Sequence, residues 1–376
     1  MTAPQAYLAL LRAALWENPG SSSGMTEALQ AVQEQQELLN ELLAIANRQK
    51  TRALIYNLLI QNGIPIPEET ASQMQQLLLK IANTHRMLDT AVARSVKTLQ
   101  AAGIPAVLLK GQGVARYYPN PWLRECGDVD LYIGPERLQE AVRSLSPLAD
   151  RTADEIHGKH WQLWIGAAEI ELHEHTMLPE TRRHTILYRE FETEGLHEAL
   201  VPVDFSGVSV PTPEDTFNAF YLFYHAWHHF CIGGIGFRQL CDWTLLLHAR
   251  KAHIDRTRLR GILEGMQLLG PWRLFGCVAV RDLGLPQEEF PFYDDSRPAA
   301  YRRILSLILS EGNFGRGHKA LLQRPKNYFG GKVYSFFGHI GRFFRLLPFS
   351  PRAAFSVLRS LTVGGIKQVF KDLFHR

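Results

Sequence analysis

Two acidic residues open an apolar run near the middle of the chain, and their spacing constrains the fold more than any other feature. Asp128 and Asp130 begin the run 128–133, directly after Gly127. Successive side chains of a β-strand point to opposite faces of a sheet, so these two carboxylates share one face. Two carboxylates that lie close together repel each other unless a positive charge lies between them. The pattern therefore predicts a strand that presents oxygen ligands to a divalent metal ion such as Mg²⁺.

A shorter apolar run upstream ends in Lys110 and Gly111. Glycine lets the backbone approach a phosphate closely, and a helix beginning there would point its amide hydrogens at the anion. Lys110 adds a point charge suited to the same phosphates, and Arg124 is a candidate for clamping a phosphate or a substrate carboxylate. The alternatives are a surface lysine at position 110 and a structural ion pair of Arg124 with Glu125 or Asp128.

A candidate third carboxylate lies further along the chain. The segments 160–165 and 169–173 are short and alternate in polarity, so they predict a β-hairpin. Glu171 lies in its second strand and would complete a clamp for two metal ions, the arrangement that serves in-line displacement at phosphorus. Glu169 shares the face of Glu171, and the sequence alone does not separate the two. His173 also shares that face and is a candidate for positioning an acceptor or acting as a base.

Three histidines occur close together in a later helical segment. His225 and His229 are i,i+4 neighbours, which is also zinc-ligand spacing, and His228 lies between them. No Cys or His pair at a suitable spacing occurs elsewhere. We therefore interpret these histidines as buried or pocket residues, with His225 a candidate for lining a nucleotide or acceptor site.

The charges of the chain are unevenly distributed. Residues 301–376 hold fourteen of the 41 lysines and arginines but only two of the 37 acidic residues, which gives net charges of +12 on 301–376 and −8 on 1–300. Basic residues alternate with phenylalanines in this tail, a pattern that suits a membrane interface and, equally, packing against the acidic body or a second subunit. Nucleic-acid binding ranks last because no recognisable module is present. The residues concerned are Arg342, Arg345, Arg352, Arg359, Lys367, Lys371, Phe336, Phe337, Phe343, Phe344, Phe355 and Phe370.

The four cysteines show no paired spacing, so they do not indicate a disulfide framework. The first sixteen residues lack the basic start and the cleavage pattern of a signal peptide. No apolar run approaches the roughly 20 residues that span a bilayer. We expect a cytoplasmic protein, with peripheral association at the inner membrane face if the tail binds lipid.

Helical periodicity and breaker residues divide the chain into four regions. Two local expectations are a single helix over 27–49 and a helix that begins at Pro135, a favoured first position. The regions are an N-terminal helical region (1–102), an α+β core (103–210), a C-terminal helical domain (211–310) and a basic, Phe-rich helical tail (311–376).

Several of these segments together resemble the uncharacterised bacterial nucleotidyltransferase family of the DNA-polymerase-β-like superfamily. The resemblance covers most of residues 75–310 and is most specific at Gly127-Asp128-Val129-Asp130. A looser match covers 213–247. The other segments that carry it are Leu108-Leu109-Lys110-Gly111, Tyr118-Pro119-Asn120-Pro121 and Ile170-Glu171-Leu172-His173.

The resemblance implies a set of site residues. In that superfamily two aspartates bind catalytic Mg²⁺, a carboxylate on a following strand completes the set, and a Gly-containing helix start holds the triphosphate. The implied metal ligands are Asp128, Asp130 and Glu171, and the implied helix start is Gly111-Gln112. Gln112 stands where the family usually has Ser or Gly, and the third acid is Glu where it is often Asp.

We therefore expect an α+β protein with a small mixed-sheet nucleotidyltransferase core between N- and C-terminal helical regions. The expected function is transfer of a nucleoside monophosphate from an NTP to an unknown acceptor with Mg²⁺ or Mn²⁺. The family's neighbours suggest cell-surface polysaccharide biosynthesis as the setting. The alternatives are a catalytically weak nucleotide-binding regulator or antitoxin-like protein with the same fold, and a membrane-surface scaffold that acts through the tail.

Overall fold

The computed structural model describes residues 1–16, 24–156, 160–313, 340–351, 354, 355 and 358. The helices that precede the sheet are α1 (Ala3–Leu15), α2 (Met25–Glu34), α3 (Gln36–Gln49), α4 (Arg52–Gln61) and α5 (Glu68–Ala101). They confirm the helical N-terminal region. In α5, a 34-residue helix, the buried side chains concentrate in the second half, which packs beneath the sheet.

The prediction of a single helix over 27–49 is wrong, because the helix is interrupted at Gln35. The backbone of Gln35 is extended (φ −129°, ψ 98°), and its N–H still donates to the carbonyl of Ala31. The break lets α2 and α3 pack separately against α1. Val32 of α2 and Leu39 of α3 are both buried. Burial against α1 therefore overrides the helical propensity of the Gln- and Glu-rich stretch.

The sheet contains β1 (Val107–Leu108), β2 (Asp128–Tyr132), β3 (Arg151–Ile156), β4 (His160–Ile165) and β5 (Ala168–His173). Its order is β1-β2-β5-β4-β3. β2 and β5 are parallel and the other neighbours are antiparallel, so the sheet is mixed as expected. The hairpin of β4 and β5 is confirmed, and it turns at Gly166, whose φ of 61° favours glycine.

The helix expected at Pro135 begins three residues later. α7 spans Leu138–Leu145, and 135–137 form a turn after Gly134, whose φ is 85°. The residues that α7 buries are Leu138, Ala141, Val142 and Leu145. Because packing of this apolar stripe stabilises the helix, the helix starts where the stripe starts and not at the proline.

The two faces of the sheet differ in character. Leu131 of β2 and Ile170 of β5 point into a core that α5 and α7 complete with residues such as Val96 and Leu145. The opposite face carries polar side chains and looks towards a cavity. Period-2 alternation of buried and polar residues along both strands produces this division.

The remainder of the described chain forms helices and one further hairpin. α6 (Gln112–Ala115) follows β1, and the C-terminal region contains the helices α9 (Asp215–Ile232) and α10 (Phe237–Arg250), in agreement with its expected helical character. Neither α8 nor the β6–β7 hairpin was expected from the sequence. The bounds are α8 (Arg182–His197), β6 (Val201–Phe205), β7 (Val208–Thr212), α9 (Asp215–Ile232), α10 (Phe237–Arg250), α11 (Arg256–Gly265), α12 (Leu269–Arg281) and α13 (Pro298–Glu311).

One hydrophobic core joins the N-terminal helices to those of the C-terminal region. It includes Leu10 of α1, Trp243 of α10, Trp272 of α12 and Ile308 of α13, all buried. The buried amide of Gln49 connects the same parts, because its Nε2 donates to the carbonyl of Ile308 at 2.9 Å and its Oε1 accepts from a backbone N–H at the start of α10 at 3.0 Å. The helical regions on either side of the sheet therefore pack as one body.

Part of the basic tail packs against that body. A short helix over 340–346 places Arg345 in an ion pair with Glu311, and Arg342 donates to the carbonyl of Cys231 at 3.0 Å. Phe349 packs on Phe230, while Phe344 and Phe355 are exposed. Packing on the body is thus observed for this stretch, and lipid binding and self-association stay predictions.

The remaining tail residues singled out in the sequence lie outside the described residues; they are Arg352, Arg359, Lys367, Lys371, Phe336, Phe337 and Phe370. Among the helices that the structure describes, none is both long enough and apolar enough to cross a bilayer.

Candidate active site

The acidic residues of β2 and β5 lie side by side on the polar face of the sheet. The parallel register pairs Asp128 with Glu169 and Asp130 with Glu171. The residues between them on each strand are buried on the opposite face. The fold therefore gathers carboxylates from two strands that are far apart in the sequence. We refer to Asp128, Asp130 and Glu171 as the acidic cluster.

His173 hydrogen-bonds to the acidic cluster. Its Nε2 lies 2.9 Å from Oδ1 of Asp130 and 3.4 Å from Oε2 of Glu171. Burial lowers the pKa of His173, but the hydrogen bonds to both carboxylates outweigh burial and raise it above the usual value. This raised pKa is consistent with an imidazole that donates from Nε2 to Asp130.

Lys110 supplies the other positive charge of the site. Its Nζ lies 3.1 Å from Oδ2 of Asp130 and 3.8 Å from Oδ2 of Asp128. Burial opposes the charge on Lys110, but the two aspartates raise its pKa. Burial raises the pKa of Asp130 in turn, yet Lys110 and His173 hold it below its usual value. The lysine thus lies where charge balance between the aspartates requires a cation.

The acidic cluster opens into a cavity of about 810 Å³. One wall is the polar face of the sheet, and another is α9, which contributes Tyr221 and His225. The N-terminal region supplies a third wall that includes Lys50 and Lys80. The volume lies in the upper part of the range usual for small-molecule sites.

The donor atoms at the base of this cavity suit a divalent metal ion. One ligand atom each from Asp130, Glu171 and His173 lie within 4.8 Å of one another. Carboxylates are preferred by Mg²⁺ and Mn²⁺, whereas an imidazole ligand favours later metals. Oδ2 of Asp130 is buried and accepts no hydrogen bond from the described residues, although Lys110 balances its charge. The carboxylates therefore fit a hard cation, with His173 better placed as a donor to Asp130 than as a ligand.

Comparison with known proteins identifies the family. Residues 35–281 match the model of a family described as "Uncharacterised nucleotidyltransferase". The match spans well over half of the chain. The chain belongs to this nucleotidyltransferase family.

Two further comparisons add little. A search of curated proteins gave no significant match. A crystal structure of an antigenic nucleotidyltransferase-like protein from Paracoccidioides brasiliensis aligns with 54% of this chain and 96% of its own, at 13% identity and a TM-score of 0.34. That score is too low to support an argument about this chain.

Gly111, which the sequence predicts to contact a nucleotide, has a backbone that requires glycine. Its φ is 57° and its ψ is −121°, a conformation that L side chains rarely adopt. A Cβ at this position would also meet the carbonyl oxygen of Asp128 at 3.4 Å. The glycine therefore lets the chain turn tightly against β2 and leaves the backbone at the cavity without a side chain.

Gln112 points away from the cavity. Its Nε2 donates to Nδ1 of His85 at 3.2 Å and also contacts Oδ1 of Asp89. His85 in turn donates from Nε2 to the carbonyl oxygen of Arg124 at 2.7 Å. In this structure the Gln112 side chain therefore connects α6 to α5, while its backbone remains next to Gly111.

The guanidinium of Arg124 is committed to an ion pair. Nε and Nη2 donate to the two carboxylate oxygens of Asp242, each at 2.7 Å, and both side chains are buried. The hydroxyl of Tyr118 donates to the same carboxylate at 2.7 Å. Arg124 reaches the cavity wall, but its partner is Asp242 and not either of the acids considered from the sequence.

Glu169 and Glu171 are both bound by Gln162, yet they differ in their surroundings. Nε2 of Gln162 donates to Glu169 at 2.8 Å and to Glu171 at 3.3 Å. Glu171 lines the cavity and neighbours Asp130 and His173. Glu169 lies beside Asp128, and burial followed by the neighbouring acids raises its pKa. This geometry favours Glu171 as the third ligand.

Several cavity residues had no signal in the sequence. Lys50, Lys80 and His175 come from different parts of the chain and carry no local motif. Nη1 of Arg238 donates to the carbonyl of Glu125 at 2.6 Å, beside the acidic strand. Only the packing of the helical regions around the sheet brings these residues to the site.

Proposed function

We propose that this nucleotidyltransferase moves a nucleoside monophosphate from an NTP to an acceptor hydroxyl or phosphate in a divalent-metal-dependent reaction. The acceptor oxygen attacks the α-phosphorus, the bond from that phosphorus to the bridging oxygen breaks, and pyrophosphate leaves. The family match supports the class of reaction, and the acidic cluster supports the metal dependence.

One observation carries the proposal. The parallel register of β2 and β5 sets Asp130 beside Glu171, so that carboxylates from distant parts of the chain meet at the base of a cavity. Burying negative charges together costs free energy unless a cation compensates them. A bound cation would compensate these charges, and we therefore propose the cluster as a cation site.

Each residue of the cluster has a distinct role in the proposal. Asp130 and Glu171 hold the metal, and Asp128, whose side chain is 43% exposed, extends the ligand set towards the cavity. The metal, when bound, neutralises charge on the phosphates and orients them. His173 donates to Asp130 and fixes the orientation of its carboxylate, as partners of metal ligands commonly do.

Lys110 and the Gly111 backbone are proposed to bind the phosphates. The Lys110 ammonium compensates Asp128 and Asp130 in this structure. If the same aspartates held a metal, the ammonium would be available to pair with the β- and γ-phosphates. Catalysis then depends mostly on positioning and charge neutralisation. Gln112 and Arg124 act as supports of this region, through α5 and Asp242 respectively.

The proposal for the acceptor and its cellular setting is based on the cavity, the family resemblance and the basic tail. A large cavity next to the acidic cluster leaves room for an acceptor beside the nucleotide, with His225 on its wall. A role in cell-surface polysaccharide biosynthesis and a place in the cytoplasm at the inner membrane face come from the family resemblance and the basic tail. Acceptor profiling with sugar phosphates and polyols tests this part separately.

The decisive experiment follows the label of an α-³²P-labelled NTP. The purified chain is incubated with each NTP, Mg²⁺ or Mn²⁺ and fractionated cell extract, and both label transfer and pyrophosphate release are measured. We expect Asp130→Asn to reduce transfer by about 10²-fold or more, because it removes a buried charge that acts on the reacting phosphates.

Glu264→Gln serves as the matched control, because it removes an exposed carboxylate of α11. Among the described residues, this carboxylate is paired with Arg260. The transfer rate of this variant should equal that of the unmodified chain. Label transfer that survives Asp128→Asn combined with Asp130→Asn would show that the active site lies elsewhere.

A nucleotide-binding regulator is the second candidate, and the conformation of Gln112 favours it. The side chain that replaces the usual serine is bound to His85 and Asp89 and contributes no phosphate contact here. NTP binding that depends on Mg²⁺ but releases no pyrophosphate with any extract fraction would support the regulator over the enzyme.

A further inference from the structure

One face of α9 lines the cavity with side chains one turn apart. Tyr221, His225 and His229 follow each other at intervals of four residues, which places them on one side of the helix. The Tyr221 and His225 rings are in contact, with centroids 5.9 Å apart. Most other residues of α9 are buried in the helical core, whereas His225 and His229 are partly exposed to the cavity.

The two histidines converge through the same ring atom. Nε2 of His225 lies 3.2 Å from Nε2 of His229, and the ring centroids are 4.5 Å apart. Two imidazole nitrogens at this distance must share either a proton or a metal ion, because facing lone pairs repel each other. A tetrahedral zinc ion 2.0–2.1 Å from each nitrogen would hold them about 3.3 Å apart.

We propose that His225 and His229 form a site for Zn²⁺ or a similar late first-row divalent metal. It is distinct from the acidic cluster and does not depend on the function proposed above. Neutral imidazoles are the usual ligands of such metals, whereas the carboxylates of the acidic cluster suit Mg²⁺ or Mn²⁺. The pair also has the i,i+4 spacing on one helix that lets two imidazoles bind one ion.

The protonation of the pair agrees with this assignment. Burial is the main reason that the pKa of His225 is lowered, and Lys110 and His229 lower it further. Burial also lowers the pKa of His229, to about 4. Both rings are therefore neutral near pH 7, and a metal would not have to displace a proton from an imidazolium.

The chain supplies two of the ligands, and the others come from the cavity. Among the described residues, no third ligating side chain groups with these two within 4.8 Å. Water or an anionic group of a cavity ligand would complete the coordination, as in sites that keep open positions. We expect weaker binding than at a three-ligand site. The positive charge of Lys110 is balanced by Asp128 and Asp130, which limits its repulsion of the ion.

Metal titration of the full chain tests the proposal. The protein is stripped with a chelator and titrated with Zn²⁺ by calorimetry and with Co²⁺ by visible absorption, which reports nitrogen ligation. We expect His225→Gln and His229→Gln each to weaken Zn²⁺ binding at least about tenfold. His253→Gln should bind Zn²⁺ like the unmodified chain, because His253 is an exposed histidine outside the cavity.

A second measurement protects the test from misfolded variants. The unmodified chain, labelled with ¹⁵N at histidine, should show Nε2 resonances of two histidines shifting together on addition of Zn²⁺. Absence of Zn²⁺ binding would mean that the pair shares only a proton and would overturn the proposal. So would Zn²⁺ binding that Asp130→Asn abolishes and both histidine variants retain, since the ion would then belong to the acidic cluster.

Discussion

Two groups of buried charges lie beside the same cavity, and they are built differently. In the first, Arg124 pairs bidentately with Asp242, and Tyr118 donates to the same carboxylate. One positive and one negative charge cancel, and the carboxylate oxygens have their partners. The charges of this pair are therefore balanced within the protein.

The acidic cluster is the opposite case. Its three carboxylates, with Glu169 adjacent, lie beside Lys110 and His173. Acidic groups outnumber basic ones there, and within the described residues the buried Oδ2 of Asp130 is paired with Lys110 but accepts no hydrogen bond. The comparison teaches that the balance of charge and hydrogen bonds, more than burial, separates an ion pair that stabilises the fold from one that can bind a cation.

The largest expected effect is on stability at the balanced pair. Asp242→Ala leaves the Arg124 guanidinium buried without its partner, so the free energy of unfolding should fall by about 3–5 kcal/mol. Urea unfolding followed by circular dichroism measures it. Arg124→Met combined with Asp242→Leu should recover much of the loss, and a single-variant cost below about 1 kcal/mol would contradict the closed-pair interpretation.

Asp282 provides an intermediate case, a buried carboxylate whose recorded side-chain partner is the Tyr301 hydroxyl at 2.9 Å. Burial raises its pKa from 3.8 to about 6, against the lowering effect of that hydrogen bond. The folded state therefore holds this proton more tightly than the unfolded state, and stability falls as pH rises from about 4 to 6.

Asp282→Asn should accordingly raise the free energy of unfolding at pH 8 by up to about 3 kcal/mol and leave it unchanged at pH 4. Urea unfolding at both pH values measures the difference. Equal effects at pH 4 and pH 8 would show that Asp282 is not protonated in the folded chain.

Lys110→Met tests whether the lysine and a metal compete for the acidic cluster. Removing the ammonium leaves Asp128 and Asp130 facing each other, so Mn²⁺ should bind about tenfold more tightly, equivalent to about 1.4 kcal/mol. Thermal unfolding with and without Mn²⁺ reports the gain as a larger rise in melting temperature than in the unmodified chain. An equal or smaller rise would mean that Lys110 does not occupy the metal position.

The smallest expected effect is at Gln112. Gln112→Ser removes the contacts with His85 and Asp89 and should cost about 1 kcal/mol of stability. A serine hydroxyl next to Gly111 should also lower the KM for the NTP if the phosphates bind there. Steady-state kinetics measures this, and an unchanged KM would place the phosphates away from the start of α6.

Local features of the site were predictable from the sequence. Alternation and a glycine turn predicted the β4–β5 hairpin, and the Asp-x-Asp spacing correctly placed Asp128 and Asp130 on one face. The closeness of Asp130 and Glu171 was not derivable from spacing, because it depends on the parallel pairing of β2 with a strand that follows α7, β3 and β4. The predicted hairpin offered Glu171 and Glu169 as candidates, and the family resemblance implied Glu171.

Other features depended on packing that no local pattern records. The break at Gln35 follows from burial on α1, and the start of α7 follows from its apolar stripe and not from Pro135. Asp242 is distant from Arg124 in the sequence, and only the packing of α10 in the folded chain brings the two side chains together. Likewise, the basic wall of the cavity comes from helices of the N-terminal region.

The shared helical core has a practical consequence for anyone expressing this chain. The matched segment 35–281 omits α1, α2 and α13, which bury Tyr7, Leu10 and Ile304 against it. A protein shortened to the matched segment would expose a large apolar surface to water, and we expect it to form inclusion bodies. Shortening the recombinant chain at the borders of the family match would thus remove helices that cover the apolar surface of the matched segment.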